Sequence, residues 1–294
     1  MNKLKRIAAV LLCLAMLLAL AACGSFEQRM LRAASKLEKL QSYHSDSEMT
    51  LDVGLSLMGQ SMDMDVKLSA ASDVDKANRQ RYSIMSTELM GESMEILSYV
   101  MAGEEEGSFD SYISTDSGAS WQHGTVTADE LKEVTNAFTA EWPTEFLVES
   151  AKSFTENGKE TVNGSQATRF DGLLEGEAVG RAVEDSGVLD SFGDALPLDL
   201  SAVFDKMSGS IPVSIWVDDK SGMLVRYDMD MTEVFASVWD TMLAELMESE
   251  ELGDLGDLSQ LGLEMELRKM FVSITLSDFD AVGEIVLPEA AKAA

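Results

Sequence analysis

Met49-Thr-Leu-Asp-Val-Gly-Leu-Ser-Leu57 is followed closely by Met62-Asp-Met-Asp-Val-Lys-Leu-Ser-Ala70. In the first stretch Met49, Leu51, Val53, Leu55 and Leu57 alternate with Thr50, Asp52, Gly54 and Ser56. In the second, Met62, Met64, Val66, Leu68 and Ala70 alternate with Asp63, Asp65, Lys67 and Ser69. A period of two is that of a strand, whose successive side chains point to opposite faces. Gly59-Gln60 supplies a turn, so the pair reads as a long β-hairpin that is apolar on one face only.

On the N-terminal side of this hairpin the period is 3.6. Met30, Leu31, Ala34, Leu37 and Leu40 recur three to four apart, which predicts a helix over 26–40. On the C-terminal side further strands are expected near 80–90, 93–101 and 109–114. Residues 127–155 read as helical, with Thr127 as N-cap and Glu130 three residues on; Trp142-Pro143 divides them into two helices. A second hairpin is expected over 158–174, turning at Asn163-Gly164 in type I′ geometry. Residues 175–207 read as mainly helical. Val213, Ile215 and Val217 form a strand, 218–222 a turn, and Met223, Val225, Tyr227, Met229 and Met231 the return strand. An amphipathic helix is expected over 233–248, a mobile acidic loop over 248–262, a strand pair or one long strand over 264–277, and a frayed tail over 289–294. No linker divides residues 23–288. The expected class is α+β: a long-stranded antiparallel sheet with helices gathered against one face.

The N-terminus addresses the chain. Lys3, Lys5 and Arg6 precede an apolar run from Ile7 to Leu20, the plan of a secretion signal and too short for an ordinary membrane span. Leu20-Ala-Ala-Cys23 resembles the bacterial lipobox, in which the cysteine is lipidated and the chain is cut before it. The resemblance implies removal of residues 1–22, palmitate-type acyl chains on Cys23, and an extracytoplasmic, membrane-anchored protein. The only other cysteine, Cys13, leaves with the signal, so no disulfide is expected. Loss of three cations takes the net charge from −30 to −33. Phosphate binding rests on clustered Lys and Arg, so nucleic acid is not an expected partner. A chain this acidic is held at an anionic membrane by its acyl chains rather than by its charge.

The motifs of common chemistries are missing: there is no G-x-S-x-G, P-loop, G-x-G-x-x-G or H-E-x-x-H. His44 and His123 are the only histidines, and nothing in sequence sets a nucleophile and an acid beside either. The pairs Asp63/Asp65, Asp218/Asp219 and Asp228/Asp230, and the run 104–106, could bind calcium or move protons, but in the strands they simply mark the solvated face. Ser114-Thr-Asp-Ser-Gly-Ala-Ser-Trp121 resembles the Asp-box, a hairpin turn without chemistry of its own, and is read as a turn joining two strands. Cofactors and metals are not expected, nor is enzymatic activity. Methionine is abundant, 19 in all, and much of it falls on inward strand faces. Met is flexible and polarizable, suited either to lining a surface for varied apolar partners or to a loosely specified core.

The helix ending in Leu40-Gln-Ser-Tyr43, the long hairpin after it, and Ile215-Trp-Val-Asp-Asp-Lys-Ser-Gly-Met-Leu-Val-Arg226 resemble LolA-like lipoprotein carriers and the mycobacterial lipid-binding lipoproteins. More closely they resemble uncharacterised lipoproteins of Firmicutes in that superfamily. The resemblance spans roughly 26–288. It implies a half-barrel, a curved antiparallel sheet over helices with an apolar cavity between, and no catalytic residues. The chain departs from the pattern at 175–207 and 248–262. The resulting expectation is a lipid-anchored protein that holds a lipid or acyl chain non-covalently against Met49, Leu51, Val53, Met62, Met64, Val66, Val225, Tyr227 and Met229. The alternative is an envelope structural or interaction lipoprotein with a self-filled core and an acidic partner-binding surface. Replacing Cys23 by Ser is expected to abolish incorporation of an alkyne-palmitate label and to release the protein from the membrane fraction. Undiminished labelling of C23S would contradict the lipobox reading.

Overall fold

The computed structural model describes residues 26–57, 60–89, 91–105, 107–127, 154–175, 209–236, 238–239 and 264–294. Helix α1 (Phe26–Leu37) leads into strands β1 (Ser42–Leu57), β2 (Gln60–Asp75), β3 (Gln80–Leu89), β4 (Glu92–Ala102), β5 (Ser108–Ser114) and β6 (Gln122–Thr127). Strands β7 (Thr155–Val162), β8 (Ser165–Glu175), β9 (Ser210–Asp218), β10 (Leu224–Asp230) and β11 (Glu264–Ser277) follow, then a short helix α2 (Glu289–Lys292). The 11 strands among the described residues make one open sheet, in the order β6-β5-β4-β3-β2-β1-β11-β10-β9-β8-β7. The chain meanders outward from β1 to one edge, restarts at the other edge, and meanders back until β11 lies beside β1. Every neighbouring pair is antiparallel.

The first hairpin takes the register its alternation demands: Met49 faces Leu68, Leu51 faces Val66, Val53 faces Met64 and Leu55 faces Met62. A slip of one residue would turn this whole set to the other face. The segment 264–277 is one long strand rather than a pair. Its register shifts where Asp52 meets Lys269 and Val53 meets Leu267, leaving Arg268 in a bulge. Arg268 lies over Gly54, where a β-carbon would come 2.5 Å from the guanidinium. Asn163 and Gly164 both have positive φ, 50° and 77°, as a type I′ turn requires.

The sheet curls. Asn163, in the β7–β8 turn, donates from Nδ2 to the carbonyl oxygen of Leu276 in β11 at 3.3 Å, although β9 and β10 lie between β8 and β11. Strands are spaced about 4.8 Å apart, so a flat sheet would hold these groups well beyond reach. The described architecture is thus a curved half-barrel.

The core sits in one half of it. Phe26, Met30, Ala33 and Ala34 of α1 are buried. Phe26 stacks on Phe154 at 4.4 Å and meets Phe170 at 4.9 Å. Around them cluster Leu174, Ile211, Val213, Ile215, Tyr227, Met229, Ile274 and Leu276, with Val234 and Val238 from the helical residues after β10. Among the described residues no side chain of β2–β6 belongs to this cluster; half-buried Val74 packs against its margin. Leu31, expected on the apolar stripe of α1, is instead 49% exposed.

Within the tail, residues 289–292 close a helical turn, in which the amides of Ala291 and Lys292 donate to the Pro288 carbonyl and Ala291 is fully buried. Thr127, read as a helix N-cap, is the last described residue before that segment and ends β6. The interiors of the helices expected over 127–155 and 175–207, most of 233–248, the loop 248–262, the signal segment and Cys23 lie outside the described residues.

A β-carbon on Gly172 would come 2.5 Å from the Phe154 ring. Gly172→Val is therefore expected to lower unfolding stability by about 1–3 kcal/mol, the usual cost of overpacking. Gly124→Ala, where a β-carbon meets open space, should change it by no more than about 0.5 kcal/mol. Equal effects in urea titrations would contradict the packing described.

Candidate functional site: the concave face of the sheet

Pairing register assigns each side chain to a face. From β10 to β1 the inner face runs Met229, Val272, Met49 and, one step along the strands, Tyr227, Ile274, Ser47. From β1 outward it runs Met49, Leu68, Thr87, Met94 and, next to that, Leu51, Val66, Leu89. Of the nine residues expected to line a ligand site, eight fall on this one face by register, and Val225 is unpaired at the β9–β10 register shift.

They do not share one environment. Val225, Tyr227 and Met229 are buried in the core cluster beside α1; Val225 sits where the β9–β10 register shifts. These three are consumed by packing. Val53 is fully buried. Met49, Leu51, Met64 and Val66 are half-buried, and Met62 is exposed. Sequence reasoning missed Leu89, Met94 and Ile113 on the same face of β3, β4 and β5. Met62 (49%), Leu89 (41%), Met94 (60%) and Ile113 (41%) bring four large apolar side chains into solvent on this face, against Leu173 (53%) on the outer face of β8. The signal was available, since these strands also alternate, though less cleanly than β1 and β2.

The outer face carries the charge. Trp216 is only 3% exposed there, because guanidinium groups of Arg169 and Arg226 cover its ring at 5.1 and 4.9 Å. Its Nε1 donates to Glu160 at 3.0 Å, and Arg169 also donates to Glu160 and Asp171. The Arg169 hydrogen bond is the main reason the Glu160 carboxyl lies below its ordinary pKa. The acidic pairs are partly matched on this face: Asp63 bonds Arg268, and Asp228 bonds Arg226 and Ser273. Both histidines lie here too, opposite the apolar lining. His123 bonds Asp110 at 3.0 Å and stacks on Tyr112. His44 sits between Asp73 at 2.6 Å and Asp46 at 3.2 Å.

The Asp-box-like segment is a turn between β5 and β6. Asp116 accepts from the Ser120 amide and hydroxyl and from the Ser114 hydroxyl, which holds its pKa down to about 2, the Ser120 hydroxyl contributing most. Trp121 donates to the Gly118 carbonyl and packs on Tyr99. The motif builds a rigid corner on the outer face and contributes nothing to the concave one.

No family model matches the chain, and no curated relative matches it. Among solved structures it is similar to the lipoprotein LppX of Mycobacterium tuberculosis, with 13% identity over 89% of this chain and 98% of that one and a TM-score of 0.46. It is also similar to LprF of Mycobacterium bovis, with 13% identity over 91% of this chain and all of that one and a TM-score of 0.40.

Burial is the largest influence on His44 and lowers its pKa, but hydrogen bonds and charge from Asp73 and Asp46 outweigh it, and the net shift is upward from 6.5. A raised folded pKa contributes stability that is complete below the unfolded value of about 6.5 and is lost as pH rises through the folded value. The stability advantage of the native chain over His44→Gln is therefore expected to shrink as pH rises from about 6 to 9. A gap that stays constant across urea titrations would contradict the carboxylate clamp.

Proposed function

We propose that this chain is a lipid-anchored extracytoplasmic lipoprotein that holds an apolar ligand, a lipid or an acyl chain, against the concave face of β1–β5. One observation carries the reading. The half of the sheet facing α1 is packed dry, while on the other half Met62, Leu89, Met94 and Ile113 reach solvent on the same inner face. Exposed large apolar groups gathered on one concave surface mark interaction sites. The mechanism is burial without covalent change, at about 0.8 kcal/mol for each methylene taken out of water. Cys23 would supply the anchor, and Met49, Leu51, Val53, Met62, Met64 and Val66 the central lining. Val225, Tyr227 and Met229 support that lining from the core. Methionine suits such a surface because its unbranched side chain refits to varied chains.

The test is saturable uptake of a fluorescent fatty acid by the unlipidated protein. Met94→Glu should weaken uptake at least tenfold, while Leu173→Glu, at an exposed outer-face position of β8, should leave it unchanged. Absence of uptake by the native chain, or equal loss in both variants, would contradict the proposal.

A further inference from the structure

Helix α1 has a second face. Its sheet-facing side is buried at Phe26, Met30, Ala33 and Ala34. At about 3.6 residues per turn, the sector opposite these holds Leu31, Arg32, Ser35 and, from the turn that closes the helix, Lys39. Leu31 is 49% exposed, and Arg32 and Lys39 are exposed with it. The other two basic residues of this segment are tied to the sheet. Arg29 lies over the Phe170 ring at 5.3 Å, and Lys36 donates to the Ser221 carbonyl. Neither Arg32 nor Lys39 takes part in an ion pair among the described residues. By the same rotation Glu27 and Glu38, the acids of this segment, stand together on the flank away from Arg29 and Lys36.

The chain has 52 acids against 22 bases, yet this outward sector carries two cations and a leucine and no carboxylate. The place of α1 in the chain says what such a face meets. Phe26 comes three residues after Cys23, and three extended residues reach about 10 Å, close to one Debye length at physiological salt. Acyl chains on Cys23 therefore hold α1 within electrostatic range of the lipid headgroups. The acidic body is repelled by anionic headgroups, whereas Lys and Arg near the surface are attracted to them. We infer that Leu31, Arg32 and Lys39 form a docking face for the anionic lipid surface to which the anchor ties the chain. The inference rests on the anchor at Cys23 proposed above and is independent of any bound ligand. The cations meet the headgroups and Leu31 enters the interface, the division of labour of an interfacial helix. The docking also orients the sheet. Helix α1 packs on the inner face through Phe26 and Phe170, so laying its far side on the membrane turns the concave side of β1–β5, with Leu89 and Met94, toward the bilayer.

The test uses the lipidated protein in vesicles of phosphatidylcholine alone and of phosphatidylcholine with phosphatidylglycerol, seven to three. Leu31→Cys and Leu173→Cys are each labelled with the polarity-sensitive dye NBD; with the Cys23 sulfur taken up by the anchor, the introduced cysteine is the free thiol. Flotation confirms that the protein is on the vesicles. The label at position 31 should be at least twofold brighter in the mixed vesicles than in phosphatidylcholine alone, and high salt should remove that gain. The label at position 173, on the outer face of β8, should not respond. Arg32→Glu combined with Lys39→Glu should abolish the gain, with thermal melts showing that the variant is folded. If the label at position 31 is equally bright in both vesicles, if both labels respond alike, or if the folded double variant keeps the gain, the docking face fails while the anchor stands. If the protein does not float with either vesicle, the anchor fails and the docking face with it.

Discussion

An antiparallel sheet whose strands alternate has one oily face, and something must cover it. Everything else in this chain follows from how that cover is divided. Helix α1 has 12 residues, about 18 Å of rod, and it is spent on the half of the sheet built from β8–β11. There Phe26, Phe154 and Phe170 close together, and the space above Gly172 is filled by the Phe154 ring. The same inner face continues without a break into β1–β5, where Leu89, Met94 and Ile113 are left partly in solvent. A single continuous surface is thus packed into the core at one side and carries partly exposed apolar side chains at the other.

The outer face carries the charge. Its acids and bases neutralise one another locally, as in the Glu160–Arg169–Asp171 group, and Arg169 and Arg226 shield the indole of Trp216. The Asp116 turn fixes the corner between β5 and β6 through hydrogen bonds to its own neighbours. These features tie neighbouring strands together on the outer face, across β7–β10 and at the β5–β6 corner. Exposed ion pairs of this kind contribute little individually; here they matter by forming continuous networks across strands.

The long hairpin was legible because its alternation is strict: a register in which Met49 meets Leu68 is the one that keeps both apolar sets on one side. The same holds for the Asn163-Gly164 turn and for the strand pair around Asp218–Gly222. Four features were not legible for physical reasons. The apolar stripe of α1 admits more than one rotation, and only contact with Phe154 and Phe170 decides that Leu31 faces water. The bulges at Arg268 and Val225 depend on the partner strand, which lies far away in sequence. Trp216 reads as a solvated-face residue until Arg169 and Arg226 are seen over its ring. A row of serines is the clearest case: Ser45, Ser72, Ser83 and Ser98 each look like ordinary polar punctuation, and only the register of four strands sets them side by side next to Arg81. In the same way, single strands could not tell that Val225, Tyr227 and Met229 would be taken up by the core.

The central claim is that a bound acyl chain lies on the inner face of β1–β5 and nowhere else. Methionine methyl NMR with a nitroxide-labelled fatty acid reads this directly, because the lining carries its own reporters. The account predicts paramagnetic broadening of Met49, Met62, Met64, Met85 and Met94, with Met101, which pairs with Asp110 on the outer face, left sharp. Broadening of Met101 together with the others, or no broadening of the inner set, would contradict it.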